Sequence, residues 1–527
     1  MPNLFNNVSK LRPGRSVFDL SYEKKFNCDM GQLIPVMCDE VVPGDKFKIS
    51  NEVVIRWQPL IKPILHEVNV FTHYFFVPYR ILWSEWENFI TGGADGTLEP
   101  VLPTWIPEIE ETAEGTLWDY LGFPINVIPA GAYPMRFTEW AYREIYNEYY
   151  RDQTLQEEIS EAKNIQFRAW TKDYFTSALP WQQRNPIAPS LPIVGETSAV
   201  WAESVFGITS GEFATPAPGT RDETGFPHFG YLVTQGQAGV NLNAAINNNT
   251  VDLSAASSFD IADLREVVQI QKFLERNARV GARYTEFLGA HFGVSPKDAR
   301  LDRPEYIGGT KSPVIISEVL QTSTTGYESS PISLTPQGNL AGHGITADRN
   351  MVGSYRAEEF GLIMGIMSVM PKPAYQQGIP RQWLRETKYD FYFPEFAHLS
   401  EQPISQAEIY ANDVEIDNTK LFGYQGKYDE MRVKQNIIAG TLRSEAAVSL
   451  DYWHLARNFD SAPILDETFI TTGDPSKLTG NAPSGTFIRK DIFAVQDEYG
   501  LIVNYANKIK AIRPLPAASN PGLMDHF

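Results

Sequence analysis

Eight histidines, two cysteines and 64 carboxylates are the residues of this 527-residue chain whose spacing could do chemistry. A metal site needs two or more nitrogens or sulfurs presented together, as in HExxH or paired CxxC. No two histidines have that spacing. His66 and His73 lie seven apart on a strand-like block and so on opposite faces, and His291, His343, His398 and His454 each stand alone. Cys28 and Cys38 are ten residues apart without a CxxC pair, which reads as two free thiols in a protein made in a reducing compartment. No GxSxG elbow occurs. Gly423-Tyr-Gln-Gly426-Lys427 echoes a phosphate loop only superficially, because the upstream glycine is missing and Tyr428 stands where Ser or Thr is needed. Two acids could cut a glycosidic bond, yet no pair is singled out. A carbohydrate-active β-sandwich enzyme, or a lectin-like protein, is therefore the alternative reading. No catalytic, cofactor-binding or metal residue is assigned.

Charge is the remaining signal. With 45 basic against 64 acidic residues the net charge is −19, which argues against a chain that neutralises nucleic acid by itself. The first 25 residues run the other way. Lys10, Arg12, Arg15, Lys24 and Lys25 face only Asp19 and Glu23 there. They read either as a solubilising tail or as a basic arm turned toward nucleic acid.

The elements that must position these residues are mostly strands. In Phe47–Trp57 the residues Phe47, Ile49, Val53, Ile55 and Trp57 share one face, and Lys48, Ser50, Glu52 and Arg56 the other. That period of two marks a half-buried antiparallel strand. Residues 65–77 have Val68, Val70, Tyr74 and Phe76 on one face and end apolar on both, as a central strand would. Strand-like blocks recur at 312–321, 360–370, 386–393 and 430–443. Residues 33–45 carry turn signals at Pro35 and at Pro43-Gly44-Asp45. Helical spacing of Trp83, Trp86 and Phe89 stops at Thr91-Gly92-Gly93. Helices are predicted over 138–152, capped by Thr138, and over 261–279, capped near Asp260. The acidic, proline-rich stretch 94–134 reads as an exposed excursion. Residues 195–258, rich in small polar side chains, read as a surface insertion. The longest apolar run, Phe360–Met370, is far short of the ~20 residues that span a bilayer, and no secretory pattern opens the chain, so a soluble protein without membrane insertion is expected. Length alone allows about three domains, but no clean linker appears. One β domain with long insertions is the simpler organisation: an arm over 1–25, a shell domain over 26–194 and 259–527, and the insertion between them.

Several longer strings carry a resemblance. Cys28-Asp-Met-Gly-Gln-Leu-Ile-Pro-Val-Met-Cys-Asp-Glu-Val-Val-Pro-Gly-Asp45 resembles the start of the major capsid protein of gokushoviruses, small single-stranded DNA phages of the Microviridae. Similar blocks follow in order at His73–Arg80, Trp86–Gly93, Thr176–Arg184, Ala299–Tyr306, Tyr375–Pro380, Asp451–Ala456 and Asn520–Phe527. The resemblance implies a mainly β chain: an eight-stranded antiparallel viral jelly roll with long loop insertions and a few helices. It also implies a T = 1 icosahedral shell of identical copies around circular single-stranded DNA, assembled in the host cytoplasm and ending in the virion. A small basic DNA-packaging protein is the implied partner, since the acidic chain leaves most genome charge unneutralised. The family's length-variable insertion, a threefold protrusion suited to a host receptor, maps best onto 195–258, with 94–134 as its rival.

Overall fold

The computed structural model describes residues 14–184, 261–279, 284–295, 297–322, 338–399, 401–473 and 487–518. Lys10, Arg12, the insertion 195–258 and the expected cap at Asp260 lie outside these. Met1–Arg184 and Glu275–Phe527 form one compact unit, and Asn185–Leu274 a second, of which only the first part of the helix Ile261–Arg279 is described.

The larger unit is built on two antiparallel sheets. The strands are β1 (Ser16–Asp19), β2 (Tyr22–Cys28), β3 (Ile34–Val41), β4 (Lys46–Trp57), β5 (Val68–Pro78), β6 (Glu305–Pro313), β7 (Ile315–Leu320), β8 (Leu340–Arg356) and β9 (Gly361–Pro371). Short pairs follow, β10 (Ala374–Tyr375) with β13 (Asn436–Ile437) and β11 (Glu401–Ser405) with β12 (Leu421–Gly426), before β14 (Leu501–Arg513) returns to the main sheet. One sheet has the order β3-β9-β5-β6. The other has the order β1-β14-β4-β8-β7, with β2 also paired to β14. β1 and β2 share one lane along β14, broken at Leu20 and Ser21. The four-stranded sheet is the size expected of a jelly roll. Its partner has six strands, because one lane is interrupted and the β7–β8 hairpin adds another.

Alternation explains the layers. Phe47, Ile49, Val53, Ile55 and Trp57 of β4 are all buried, as the period-two pattern requires. Phe47 and Ile49 meet Tyr74, Phe76 and Ile363 of the facing sheet. Burying an aromatic ring removes roughly 150–250 Å² from water, so these rings dominate the contact. Some polar groups inside the sandwich are paired: the Tyr74 and Tyr505 hydroxyls lie 2.8 Å apart, and Asn51 Nδ2 donates to Tyr505 at 2.6 Å. β9 is buried at every position because it is central and covered on both faces. Pro35 sits in β3, where its missing N–H is tolerated on an edge strand beside a bulge.

The outer face of the four-stranded sheet is covered by the helix Phe137–Ile145 and its π-helical continuation Tyr146–Tyr150. Tyr149 packs on Phe75 with ring centres 4.6 Å apart, and the Tyr150 hydroxyl meets His73 Nδ1 at 2.9 Å. This helix starts one residue earlier than predicted: Arg136 is its cap and Thr138 lies inside the first turn. The helix Trp86–Thr91 ends as predicted, at Gly92 in the left-handed conformation (φ 74°).

Three expectations are corrected. Residues 94–134 are not merely an exposed excursion. Trp105, Leu117, Trp118 and Tyr120 are buried in the main core, and the Tyr120 hydroxyl donates to the Asn27 carbonyl at 2.6 Å. The segment 386–393 is no strand, because the Thr387 and Asp390 side chains close a capped 3-10 turn there. Within 430–443 only Asn436–Ile437 pairs; the rest is helical turn and loop.

Candidate nucleic-acid interface

While helices cover the outer side of one sheet, the outer side of the six-stranded sheet is left exposed, and it is basic. The alternation that sends Phe47, Ile49 and Ile55 inward sends Lys46, Lys48 and Arg56 outward on β4. In β14, Leu501, Val503, Tyr505, Ile509 and Ala511 go inward, so Lys508 and Lys510 go outward. Registration with β8 and the edge lane adds Arg349, Arg356 and Lys25.

The register aligns these residues in rows. Arg356 lies opposite Lys46, which lies opposite Ile512 and then Val17. In the next row Ser354, Lys48, Lys510 and Asp19 stand side by side. Further along come Met351–Ser50–Lys508, Arg349–Glu52–Ala506–Glu23 and Ala347–Val54–Asn504–Lys25. Neighbouring strands are about 4.8 Å apart, so each row is a tight line of side chains.

Eight cations thus share the face with three carboxylates, Asp19, Glu23 and Glu52, on a chain whose net charge is −19. Two like-charge pairs, Lys46–Arg356 and Lys48–Lys510, lie directly across a strand boundary, an arrangement that disfavours the fold. Lys46, Lys48, Arg56, Arg349, Arg356, Lys508 and Lys510 make no ion pair among the described residues. Hydrogen bonds from Ser21, and then the nearby charges of Lys510 and Lys508, hold the Asp19 carboxyl below its ordinary range. Val17, Met351 and Ile502 are exposed by 69%, 64% and 52%, so apolar surface is interleaved with the charge. Fixed cations with apolar surface between them can take phosphates and bases of an unpaired strand.

The five cations singled out in the sequence fare differently. Arg15 is exposed just ahead of β1, on the edge of this face, and Lys25 belongs to it, paired with Glu23 at 3.1 Å. Lys24 points the other way. Its ammonium donates to the carbonyls of Pro35 (2.6 Å) and Tyr120, and burial lowers its pKa to about 8. It ties β2 to neighbouring segments and is not free to meet a phosphate. The seven cations of β4, β8 and β14 were missed as a site, although their period-two placement was visible in β4 and readable in 501–513.

The other candidates stay structural. Burial raises both thiols, Cys38 to about 12. His73, near Arg168, is pushed down to about 4, mainly by burial. Gly423–Gly426 lies in strand β12 rather than in a phosphate-binding loop. Among the described residues no group of His, Cys, Asp or Glu is arranged to hold a metal ion, and no helix is long and apolar enough to cross a membrane.

Comparison with known proteins agrees along nearly the whole chain. The family model described as capsid protein (F protein) matches residues 6–523. The capsid protein VP1 of Chlamydia phage 1 is 33% identical, covering 99% of this chain and 98% of the relative. VP1 of Bdellovibrio phage phiMH2K is 33% identical over 89% of this chain and 90% of its own, and VP1 of Spiroplasma virus 4 is 31% identical over 94% and 93%.

Proposed function

Since this chain belongs to the phage capsid protein (F protein) family, as a Microviridae major capsid protein of the gokushovirus type, we propose that its basic sheet face lines the inside of a T = 1 icosahedral shell and holds circular single-stranded DNA. Family membership makes the role structural, in a multimeric shell and hence in the virion. The observation that carries the finer reading is the concentration of cations on one open sheet face of an acidic protein, with like charges held directly opposite each other. Such a face is unfavourable in isolation, and a polyanion laid across it relieves the repulsion.

The charge balance sets the division of labour. Eight cations per copy neutralise only part of a packaged genome, and the rest falls to a small, highly basic packaging protein. Arg15 leads from the edge of the face into the segment that carries Lys10 and Arg12, which extends the same contact. Assembly takes place in the host cytoplasm. The insertion 195–258 forms the threefold protrusion and meets the host receptor.

Electron microscopy and sedimentation of the protein alone, then with single-stranded DNA and the basic partner, test this reading. Uniform closed particles are expected, with threefold projections that disappear when 195–258 is shortened and DNA density against the six-stranded sheet. Density against the opposite sheet would overturn the assigned polarity. A chain that stays monomeric under every condition would overturn the shell.

A further inference from the structure

A cavity on the outer side of the four-stranded sheet is walled by aromatic rings and floored by a guanidinium without a counter-charge, and we propose that it binds a small aromatic monocarboxylate. The inference is independent of the shell reading, because the cavity lies on the side of the sandwich away from the basic face.

The cavity measures about 640 Å³, within the roughly 300–1,000 Å³ of small-molecule sites. Its rings are His73, Phe75, Tyr149, Tyr150, Trp170 and Tyr306. Strand alternation supplies the first two: Tyr74 and Phe76 of β5 turn into the sandwich, so His73 and Phe75 turn out beneath the helix. The π-helical turn Tyr146–Tyr150 supplies the next two at its end. Such turns are rare and recur at functional sites. Tyr306 lies 5.6 Å from Phe75 and 6.0 Å from His73, ring centre to ring centre, yet is 48% exposed, which puts it at the rim.

Arg168 is the charged group of the floor. Its guanidinium lies 4.6 Å from the Phe71 ring centre and 5.9 Å from that of Tyr150, and Nη1 donates to Ser368 Oγ at 3.0 Å. Nε and Nη2 make no hydrogen bond among the described residues, and no carboxylate there pairs with Arg168. Neither nitrogen is sealed from solvent. Burial lowers the Arg168 pKa, as expected of a charge held with no acid beside it. A guanidinium covered on its face by rings and free along its Nε–Nη2 edge offers two parallel donors, the geometry that a carboxylate accepts.

The remaining groups select one negative charge on an apolar ring. Lys172 is paired with Asp152, Arg303 with Asp298 at 2.8 Å, and Arg151 with Glu158 at 2.8 Å, so these cations are balanced. His73, with its pKa pushed down to about 4, is neutral. One spare positive charge beside two carboxylates suits a monoanion and disfavours a phosphate monoester, which carries about two charges at neutral pH. A sugar acid would need partners for several hydroxyls. The Tyr149 hydroxyl already donates to the Pro304 carbonyl, and the Tyr150 hydroxyl is bonded to His73. A flat ring needs only the aromatic walls, which it meets in offset or edge-to-face contacts.

The test is isothermal titration calorimetry of the full chain near neutral pH with benzoate and indoleacetate, compared with neutral benzamide, glucuronate and thymidine monophosphate. One site per chain is expected for the two carboxylates, with benzamide at least about tenfold weaker than benzoate because it cannot form the charged pair. Arg168→Met should weaken benzoate binding by about ten- to a hundredfold. Tyr306→Ala, at a half-exposed position, should weaken it by about threefold or more. Circular dichroism and thermal melting check the fold. Should Arg168→Met unfold, Tyr306→Ala and the benzamide comparison on the wild type still decide the matter. No saturable binding of either carboxylate at millimolar concentration, benzamide binding as well as benzoate, or undiminished binding by folded variants would overturn the site. Tighter binding of glucuronate or thymidine monophosphate than of benzoate would overturn the assigned ligand class. The shell reading stands or falls separately, on particle formation.

Discussion

Replacing Lys48 and Lys510 with glutamine should weaken the grip on single-stranded DNA and strengthen the fold at the same time. The two lysines lie directly opposite each other on β4 and β14, with no ion pair to either among the described residues. If each meets one phosphate, removing both lowers the slope of log K against log salt by about 1.4, at ~0.7 per contact with a single strand. At ~0.15 M salt the same slope corresponds to a loss of affinity of about 15-fold. The fold changes in the opposite direction. A like-charge cross-strand pair opposes folding by roughly 0.2–1 kcal/mol; salt screening and the loss of Asp19 as a neighbour of Lys510 reduce that to a few tenths of a kcal/mol. Fluorescence anisotropy with a labelled oligothymidine between 50 and 300 mM salt reads the slope, and urea unfolding reads the stability. Substituting Lys62 and Lys420, which lie off this face, is the control and should leave the slope alone. An unchanged slope in the double variant, or a clear loss of stability, would refute the argument that these lysines are positioned for a polyanion.

Three other outcomes follow from particular contacts. Lys24→Met should leave the salt slope unchanged; because the folded pKa is depressed to about 8, the unfolded chain binds more protons above that pH, so the wild type gains stability as pH rises through 8 and the variant loses this gain in pH-dependent melts. Asp39 has a buried oxygen with no hydrogen-bond partner among the described residues and a pKa raised by burial to about 6, so its contribution is favourable while protonated and lost as pH rises through 6; Asp39→Asn should raise the melting temperature at pH 7.5 and have little effect at pH 4. Trp118→Ala should destabilise by about 3–5 kcal/mol in urea titrations, because the ring is fully buried; a surface excursion would lose almost nothing.

How far the sequence could be read depended on which side chains did the packing. β4, β5 and β9 were legible because large apolar residues mark their inward positions. β8 was not, since its buried positions include Gly342, Gly344 and Thr346, small residues that carry no periodic signal and are set by what packs on them. A Cβ at Gly344 would come within 2.5 Å of the Trp57 ring, so the absence of a side chain there is itself part of the core. β14 did carry the period-two signal, hidden by its lysines and asparagines. The burial of Trp105 and Trp118 was masked by acidic neighbours that lower the average hydropathy of a segment while its two indoles pack edge to face at 5.0 Å. The basic face required β4, β8 and β14 to be aligned, and register between segments hundreds of residues apart is not visible in any one of them.

The placement of β14 also controls timing. It comes near the end of the chain yet occupies an interior lane, between β4 and the β1/β2 lane, with Ser16 opposite Arg513. Closing a loop from Ser16 to Arg513 is slow compared with local folding. During translation the early strands wait without their central neighbour, so the surface that gathers Lys48 with Lys510 does not exist on a nascent or truncated chain. Ribosome-bound fragments that lack 501–513 therefore cannot present that surface.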